Sequence, residues 1–422
     1  MNFETGKSHA LELDEKDGLA EFRQLFMIPE PELIYADGNS LGRLTFGTSQ
    51  RVKQVMEQEW GRDLIRGWNK GWFDAPARVG EKVAKLIGAS EGQTIICDST
   101  SVNLYKLVWF ALSLSPGRPH VVSDTLNFPS DLYVIQSCLQ HFTEDHSLKL
   151  VPSENGISVD YDRLMEAMDE QTALVTVSHV AFKSGFLFDL EKIAKRAQEV
   201  GALFLVDLSH SVGVVPIELD RWGVDLAVGC TYKYLNGGPG SPAFLYVCKA
   251  LQEGGNSPIW GWMGEEAPFE FTLDYRPARG IKKFLIGTPP VLSLLALEPS
   301  LDILSKAGIE NIREKSILLT SYFVHLVEQV LLPMGFQLGS PIDPNQRGSH
   351  VSISHRDGYR INRALIEEMA VIPDFREPDN IRFGWAPLFT SFVEVWEAVE
   401  RLKVVMRERR FLRYSEKRED VT

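Results

Sequence analysis

The sequence predicts an α/β protein, with a large domain built on a mainly parallel sheet and a smaller α/β domain at its C-terminal end. Three observations predict it. At 422 residues the chain exceeds the roughly 250 to 300 at which a single hydrophobic core stops growing. Through its middle, short apolar runs alternate with helical segments, the pattern of parallel strands covered by helices on both faces. After Pro289 and Pro290 the texture changes to long apolar helices, with a few strands beyond them.

The elements follow in order. After a polar lead an amphipathic helix is expected from about Glu21, and another within 43–60, where Val52, Val55, Met56 and Trp60 have helical spacing. A third covers 79–87. Strand and helix then pair as 94–97 with 103–114, 120–123 with 130–139, and 173–178 with 190–200. The strand 203–207 is followed by a short helical stretch from His210. Strands 226–229 and 243–248 flank a Gly/Pro-rich turn. Helices 291–304 and 309–332 open the C-terminal part, which continues with strands 350–354 and 381–383 and helices 359–369 and 392–406.

Composition narrows the function. Apolar residues at 44% and charged residues at 24% set aside disordered and fibrous chains. A net charge of -13 repels phosphate backbones and anionic membranes, so neither nucleic acid nor membrane is an expected partner. The basic stretch 401–413 reads as a solvated last helix and tail. Cys97, Cys138, Cys230 and Cys248 show no CxxC pair and no metal-ligand spacing, and they sit among apolar neighbours. No metal is expected, and a reducing, cytoplasmic setting is. The N-terminus carries no signal pattern, and no apolar run approaches the roughly 20 residues that span a bilayer. There is no internal repeat, no P-loop and no GxGxxG.

In open parallel sheets the residues just past the strands meet the ligand. The run 203–206 ends in Asp207, a carboxylate that needs a partner at the mouth of a core: a helix cap, or a protonated pyridine nitrogen. Lys233, in 231–240 (TYKYLNGGPG), follows the run 225–229 among bulky neighbours, where a poorly solvated amine forms imines. A strand-end Asp with a strand-end Lys at this spacing points to pyridoxal 5'-phosphate (PLP), with Lys233 as its Schiff-base lysine and Asp207 on its ring nitrogen. Residues 99–103 (STSVN) lie between a strand and a helix, the placement of hydroxyls and N–H groups around a phosphate. Phe128 could stack on the pyridine, and Asp131 could bond ring substituents or cap a helix. His210 is either a partner of Asp207 or substrate, or a satisfied helix-start histidine. Arg382, on an apolar strand, wants a carboxylate, internal or from a substrate.

Together with these residues, 35–42 (YADGNSLG), 128–131 (FPSD), 206–213 (VDLSHSVG), 222–225 (WGVD), 261–264 (GWMG) and 381–388 (IRFGWAPL) resemble the kynureninase family over most of the chain. The resemblance implies PLP fold type I, with a seven-stranded sheet, and hydrolytic Cβ–Cγ cleavage of L-kynurenine to anthranilate and L-alanine. It divides the chain into an N-terminal segment 1–50 that contributes to the substrate pocket, a PLP domain 51–290 and a small domain 291–422. It makes Lys233, Tyr232 and Asp207 catalytic. It gives the phosphate to Thr100, Ser101 and Tyr232, and to Trp262 and Thr288 from the neighbouring subunit of a homodimer. Phe128, Asp131 and His210 surround the ring, Arg382 takes the α-carboxylate, and Asn39 and Ser40 line the substrate pocket. Tyr232 assists proton movement, its phenol acidified by nearby cations. Gly287 and Thr288 before the Pro pair look like the bacterial version, which favours kynurenine over 3-hydroxykynurenine; the aryl pocket near Trp68 and Trp72 is left open. Another enzyme of the same fold, a cysteine desulfurase or a transaminase, is the alternative.

Overall fold

The computed structural model describes residues 3–142 and 145–417. The chain opens with a helix α1 (Lys7–Glu15) where a polar lead was expected. Only Ala10 of α1 is buried, so its sequence carries no apolar stripe. The helix expected from Glu21 is instead a short 3-10 turn, Ala20–Leu25. Strand β1 (Ile34–Tyr35) and helix α2 (Phe46–Gln54) follow, the latter started by Thr45, whose hydroxyl accepts from Thr48 N. A π-helical continuation, Val55–Asp63, leads to α3 (Ala75–Leu86).

Alternation then runs β2 (Thr94–Ile96), α4 (Thr100–Leu114), β3 (His120–Asp124), α5 (Pro129–Leu139), β4 (Ser147–Val151), α6 (Tyr161–Glu166), β5 (Thr172–Ser178) and α7 (Leu190–Val200). It continues with β6 (Leu203–Asp207), α8 (Leu219–Trp222), β7 (Leu226–Gly229) and β8 (Phe244–Val247). These strands form one seven-stranded sheet in the order β2-β8-β7-β6-β5-β3-β4. β8 alone runs opposite to the other six strands. β5 and β7 are buried throughout, which is why they read as unbroken apolar runs. β4 was not expected: it is an edge strand whose one buried residue is Val151, so its SLKLV text lacks the apolar density of the interior. The helical stretch expected from His210 is a series of turns, with Ser211 N and Val212 N both donating to Leu208 O. Gly213, at φ 89, takes the left-handed conformation that stops a helix there.

Beyond the sheet lie α9 (Val291–Ala296), α10 (Glu298–Ala307) and α11 (Ile309–Leu326). The expected helix 291–304 is thus two helices, because Pro299 cannot donate and sits in the first turn of a new one. A four-stranded antiparallel sheet of β9 (Gln337–Leu338), β10 (His350–Ser354), β12 (Asp374–Arg376) and β13 (Asn380–Gly384) has the order β12-β13-β10-β9. Helices α12 (Gly358–Met369) and α13 (Phe392–Arg407) cover it, and β11 (Val371–Ile372) pairs in parallel with β1.

Apolar side chains pack on both faces of the large sheet, with Leu174, Leu205 and Leu245 on one of them, and in a second core at the small sheet. Leu294, Leu301 and Leu304 join the large-sheet core with Val175 and Phe204. Ala10, Ile34 and Ala36 join the second, with Phe323, Val351, Phe383 and Trp385. The N-terminal segment therefore divides, Ala10, Ile34 and Ala36 packing with the C-terminal sheet and Leu19, Phe22 and Phe26 with the large-sheet core. The helical run Ile309–Met334 is long and apolar enough to cross a membrane, contrary to expectation. Its Leu319, Tyr322, Phe323 and Leu326 lie in the second core, which makes it an interior helix.

Candidate active site

The carboxyl ends of β2, β3, β5, β6 and β7 open on one edge of the large sheet, and the loops leaving them carry the chemistry. Asp207 is in register with Ser178 on one side and Val228 on the other. Its carboxylate is 7% exposed and accepts from Ser209 N at 2.8 Å. Burial raises its proton affinity, and Ser209 and Lys233 pull it back down. Asp131, in the first turn of α5, hydrogen-bonds Asp207; burial and then the charge of Asp207 push it well above the carboxylate range. Burial raises both carboxyls of the pair, and the charge of Asp207 raises Asp131 in addition. Asp131 is thus a partner of Asp207 rather than a cap.

Lys233 sits in a turn fixed by Asn236 N to Lys233 O and Gly237 N to Thr231 O, both 2.9 Å. Its Nζ lies 2.8 Å from His210 Nε2 and 5.9 Å from the centre of the Tyr232 ring. His210 therefore meets the lysine, not the Asp207 carboxylate. Tyr232 overturns the expectation of an acidified phenol: neighbouring Cys230, then burial, raise it, and Asp207 adds to the effect.

Thr100 and Ser101 are the first residues of α4, behind the cap Ser99, whose Oγ accepts from Val102 N at 3.4 Å. Ser101 Oγ is 3.5 Å from Ser130 Oγ, so the N-terminal turns of α4 and α5 converge with their hydroxyls side by side. Their unbonded N–H groups favour an anion. Lys106, fully buried, anchors this loop from behind through Asp98 Oδ2 at 2.7 Å and Phe284 O at 2.8 Å. Phe128 is 40% exposed and presents its ring edge-on to Phe182 at 5.2 Å. An amine, a carboxylate, an open aromatic face and a hydroxyl-lined pair of helix starts match the aldehyde, ring nitrogen, ring and phosphate of PLP. The residues present fit the group.

Arg382, 1% exposed, is gripped from four sides. Nη2 donates to Asp374 Oδ2 at 2.5 Å and Ser40 Oγ at 2.9 Å, and Nη1 to Phe182 O at 2.5 Å. With its amide oxygen facing the guanidinium, Asn39 accepts from Nε at 2.8 Å. The internal carboxylate is therefore real, and these bonds leave one Nη1 hydrogen for a ligand oxygen. The segment bearing Asn39 and Ser40 also reaches the lysine turn: Gly42 N donates to Tyr232 O at 2.8 Å. A Cβ on Gly42 would collide with Lys233 O and the Asn236 side chain, so only glycine permits the approach.

Trp262 and Thr288 are not brought to Lys233. With Ile65, Trp68, Asn69 and two phenylalanines they line a separate cleft, where Trp68 meets Trp262 edge-on at 6.3 Å and Trp72 at 6.1 Å. Sequence reading missed Asp374, which faces Arg382 across the β12–β13 pair; that relation appears only when the intervening turn is placed. It also missed His350, and Ser130, although the latter stands in the quoted helix start.

The model of the kynureninase C-terminal domain matches residues 312–402. A kynureninase of Pseudomonas fluorescens is 41% identical over 407 residues, 95% of this chain and 96% of that one. One of Burkholderia pseudomallei (strain K96243) is 42% identical over 405 residues, 95% of each chain. Among solved structures, the apo cysteine desulfurase of Thermococcus onnurineus NA1 superposes with a TM-score of 0.78 at 16% identity, covering 94% of this chain and 98% of that one. A C-DES variant with glycine covalently linked to its PLP cofactor gives 0.76 at 18% identity, covering 88% and 97%. These structures share the fold, that of PLP fold type I.

Proposed function

The chain belongs to the kynureninase family, whose members are PLP enzymes, and on that premise we propose that it hydrolyses the Cβ–Cγ bond of L-kynurenine to anthranilate and L-alanine. The observation that carries the reading is the Lys233–His210 contact of 2.8 Å beside the coupled acid pair Asp131 and Asp207. When bound, PLP supplies an electron sink for the pair released at the substrate α-carbon. Lys233 holds the cofactor and, once freed, takes the α-proton as a base. His210 Nε2 stands where it can accept a hydrogen bond from the amine. Asp207 keeps the ring nitrogen cationic, and Phe128 covers the ring. Thr100, Ser101 and Tyr232 hold the phosphate. Tyr232, with its phenol kept protonated, acts as a proton donor rather than as a base. Arg382, set by Asn39 and Ser40, takes the α-carboxylate with its remaining N–H.

The active unit is a homodimer in which Trp262 and Thr288 complete the partner's phosphate site. Their place in a cleft that Lys233 does not line supports this, as do exposed apolar side chains around it, with Ile65 76% and Phe271 73% exposed. Gly287 and Thr288 support kynurenine over 3-hydroxykynurenine. Four unpaired thiols support a cytoplasmic setting, and the burial of Cys97, Cys138 and Cys230 argues against desulfurase chemistry. Anthranilate fluorescence on adding L-kynurenine to the PLP-loaded protein tests the reading. Lys233→Ala is expected to lose both turnover and the visible-edge absorbance. A variant that cleaves at the original rate overturns the lysine assignment, and a monomer by sedimentation overturns the dimer.

A further inference from the structure

We infer that His350, contributed by the small sheet, is a positioning residue for Lys233 that acts through His210. His350 opens β10 and is fully buried. Its ring centre lies 5.5 Å from that of His210, with the planes at 60°. Gly185, at φ 73, closes behind it: a Cβ there would come within 2.7 Å of His350 O and 3.3 Å of its Nε2. The histidine is therefore wedged between a backbone turn and the lysine's neighbour, and has no room to swing away.

Three buried ring nitrogens meet at this place without a hydrogen-bond partner among the described residues: His210 Nδ1 and both nitrogens of His350. The Ala181 backbone approaches His350 without completing a bond. The charged groups facing the two rings are Lys233, Arg382 and Arg376, all cations; Asp207 and Asp131 face the lysine itself. Burial first, then these cations, hold both imidazoles neutral.

A neutral His210 has one donor and one acceptor. To accept from a protonated nitrogen at Lys233, its Nε2 must be bare, which places its proton on Nδ1. That N–H needs an acceptor in a dry setting, and the His350 ring, 5.5 Å away centre to centre with both nitrogens unpaired among the described residues, is the group placed to supply one. His350 thereby selects the His210 tautomer that turns a lone pair toward Lys233. An apolar side chain at 350 removes this preference, and His210 can turn a donor to the lysine instead, which weakens the lysine nitrogen's hold on a proton.

The inference rests on Lys233 being the cofactor lysine. The test compares PLP-loaded wild type with His350→Leu, His350→Phe and His350→Gln, by pH titration of the cofactor absorbance, the acid limb of kcat/KM, and thermal melting. Either apolar variant is expected to move the absorbance titration down by about one pH unit, a tenfold change in proton affinity, with kcat lowered about as much. His350→Phe keeps a flat ring should the leucine variant not fold. His350→Gln, which retains an acceptor, is expected to titrate with wild type. Variants that melt lower but titrate in place reduce His350 to packing and overturn the inference. A wild-type protein without lysine-linked absorbance overturns the Lys233 assignment instead, and none of these variants imitates that result, since each keeps the lysine.

Discussion

Two clusters of buried charge build the site, and they are balanced differently. At the edge of the large sheet two buried carboxyls, Asp131 and Asp207, face a single cation, Lys233, and burial raises both. On the small sheet Asp374 accepts from three donors: Arg382 at 2.5 Å, Arg376 at 2.7 Å and Ser40 at 2.9 Å. The first cluster is short of positive charge and so has use for a cationic ring. The second is matched within the protein, so its guanidinium meets a ligand already aimed. Burying charge demands a partner in both cases, but only one of the two partners comes from outside.

The sharpest way to break this contrast is Asp207→Asn. Removing the ring nitrogen's partner is expected to lower kcat by about 10^2 to 10^3-fold, equivalent to roughly 3 to 4 kcal/mol, in steady-state assays; an unchanged kcat removes the distinction. Asp374→Asn is expected to act on stability and KM, because it takes one charge-assisted bond from Arg382 and leaves the others. A loss of about 2 to 3 kcal/mol should appear in denaturant unfolding.

Asp37 sharpens the comparison through pH. Burial, then the charge of Asp374, push its carboxyl up to about 7, against the pull of Arg382. A carboxyl raised on folding adds stability below its unfolded pKa near 4 and loses that contribution as pH rises through the folded value. Asp37→Asn should therefore flatten the fall in melting temperature between about pH 4 and pH 8. Part of the fall remains, because burial also lifts Asp124 to about 7 and Asp225 to about 6. Ser40→Ala is the mildest test. Arg382 keeps its carboxylate, and about 1 kcal/mol of stability and a small rise in KM are expected.

The first cluster was largely legible in the sequence, because strand ends mark themselves: apolar runs stop at Asp207 and just before Lys233, and the sheet gathers such ends at one edge. The second was half legible. Arg382 announces itself as a charge on an apolar strand, but Asp374 depends on a hairpin register that no local pattern records. His350 was hidden for a related reason, since its partner His210 belongs to the other sheet. The fold shows the same division. Interior strands declared themselves, whereas the edge strand β4, the two-residue β1 and the polar α1 owe their form to distant packing rather than to periodicity.

The stretch between β1 and Gly42 is held at one end by β11, where Ile34 and Tyr35 pair with Val371 and Ile372, and by the end of β13, where Gly384 N donates to Ala36 O at 2.7 Å. It rests on the lysine turn at the other, through Gly42. The span from guanidinium to amine is thus ruled by the length of a main-chain strut. Inserting one residue into that strut would change which molecule is the right size to be cut, with every reactive group still intact.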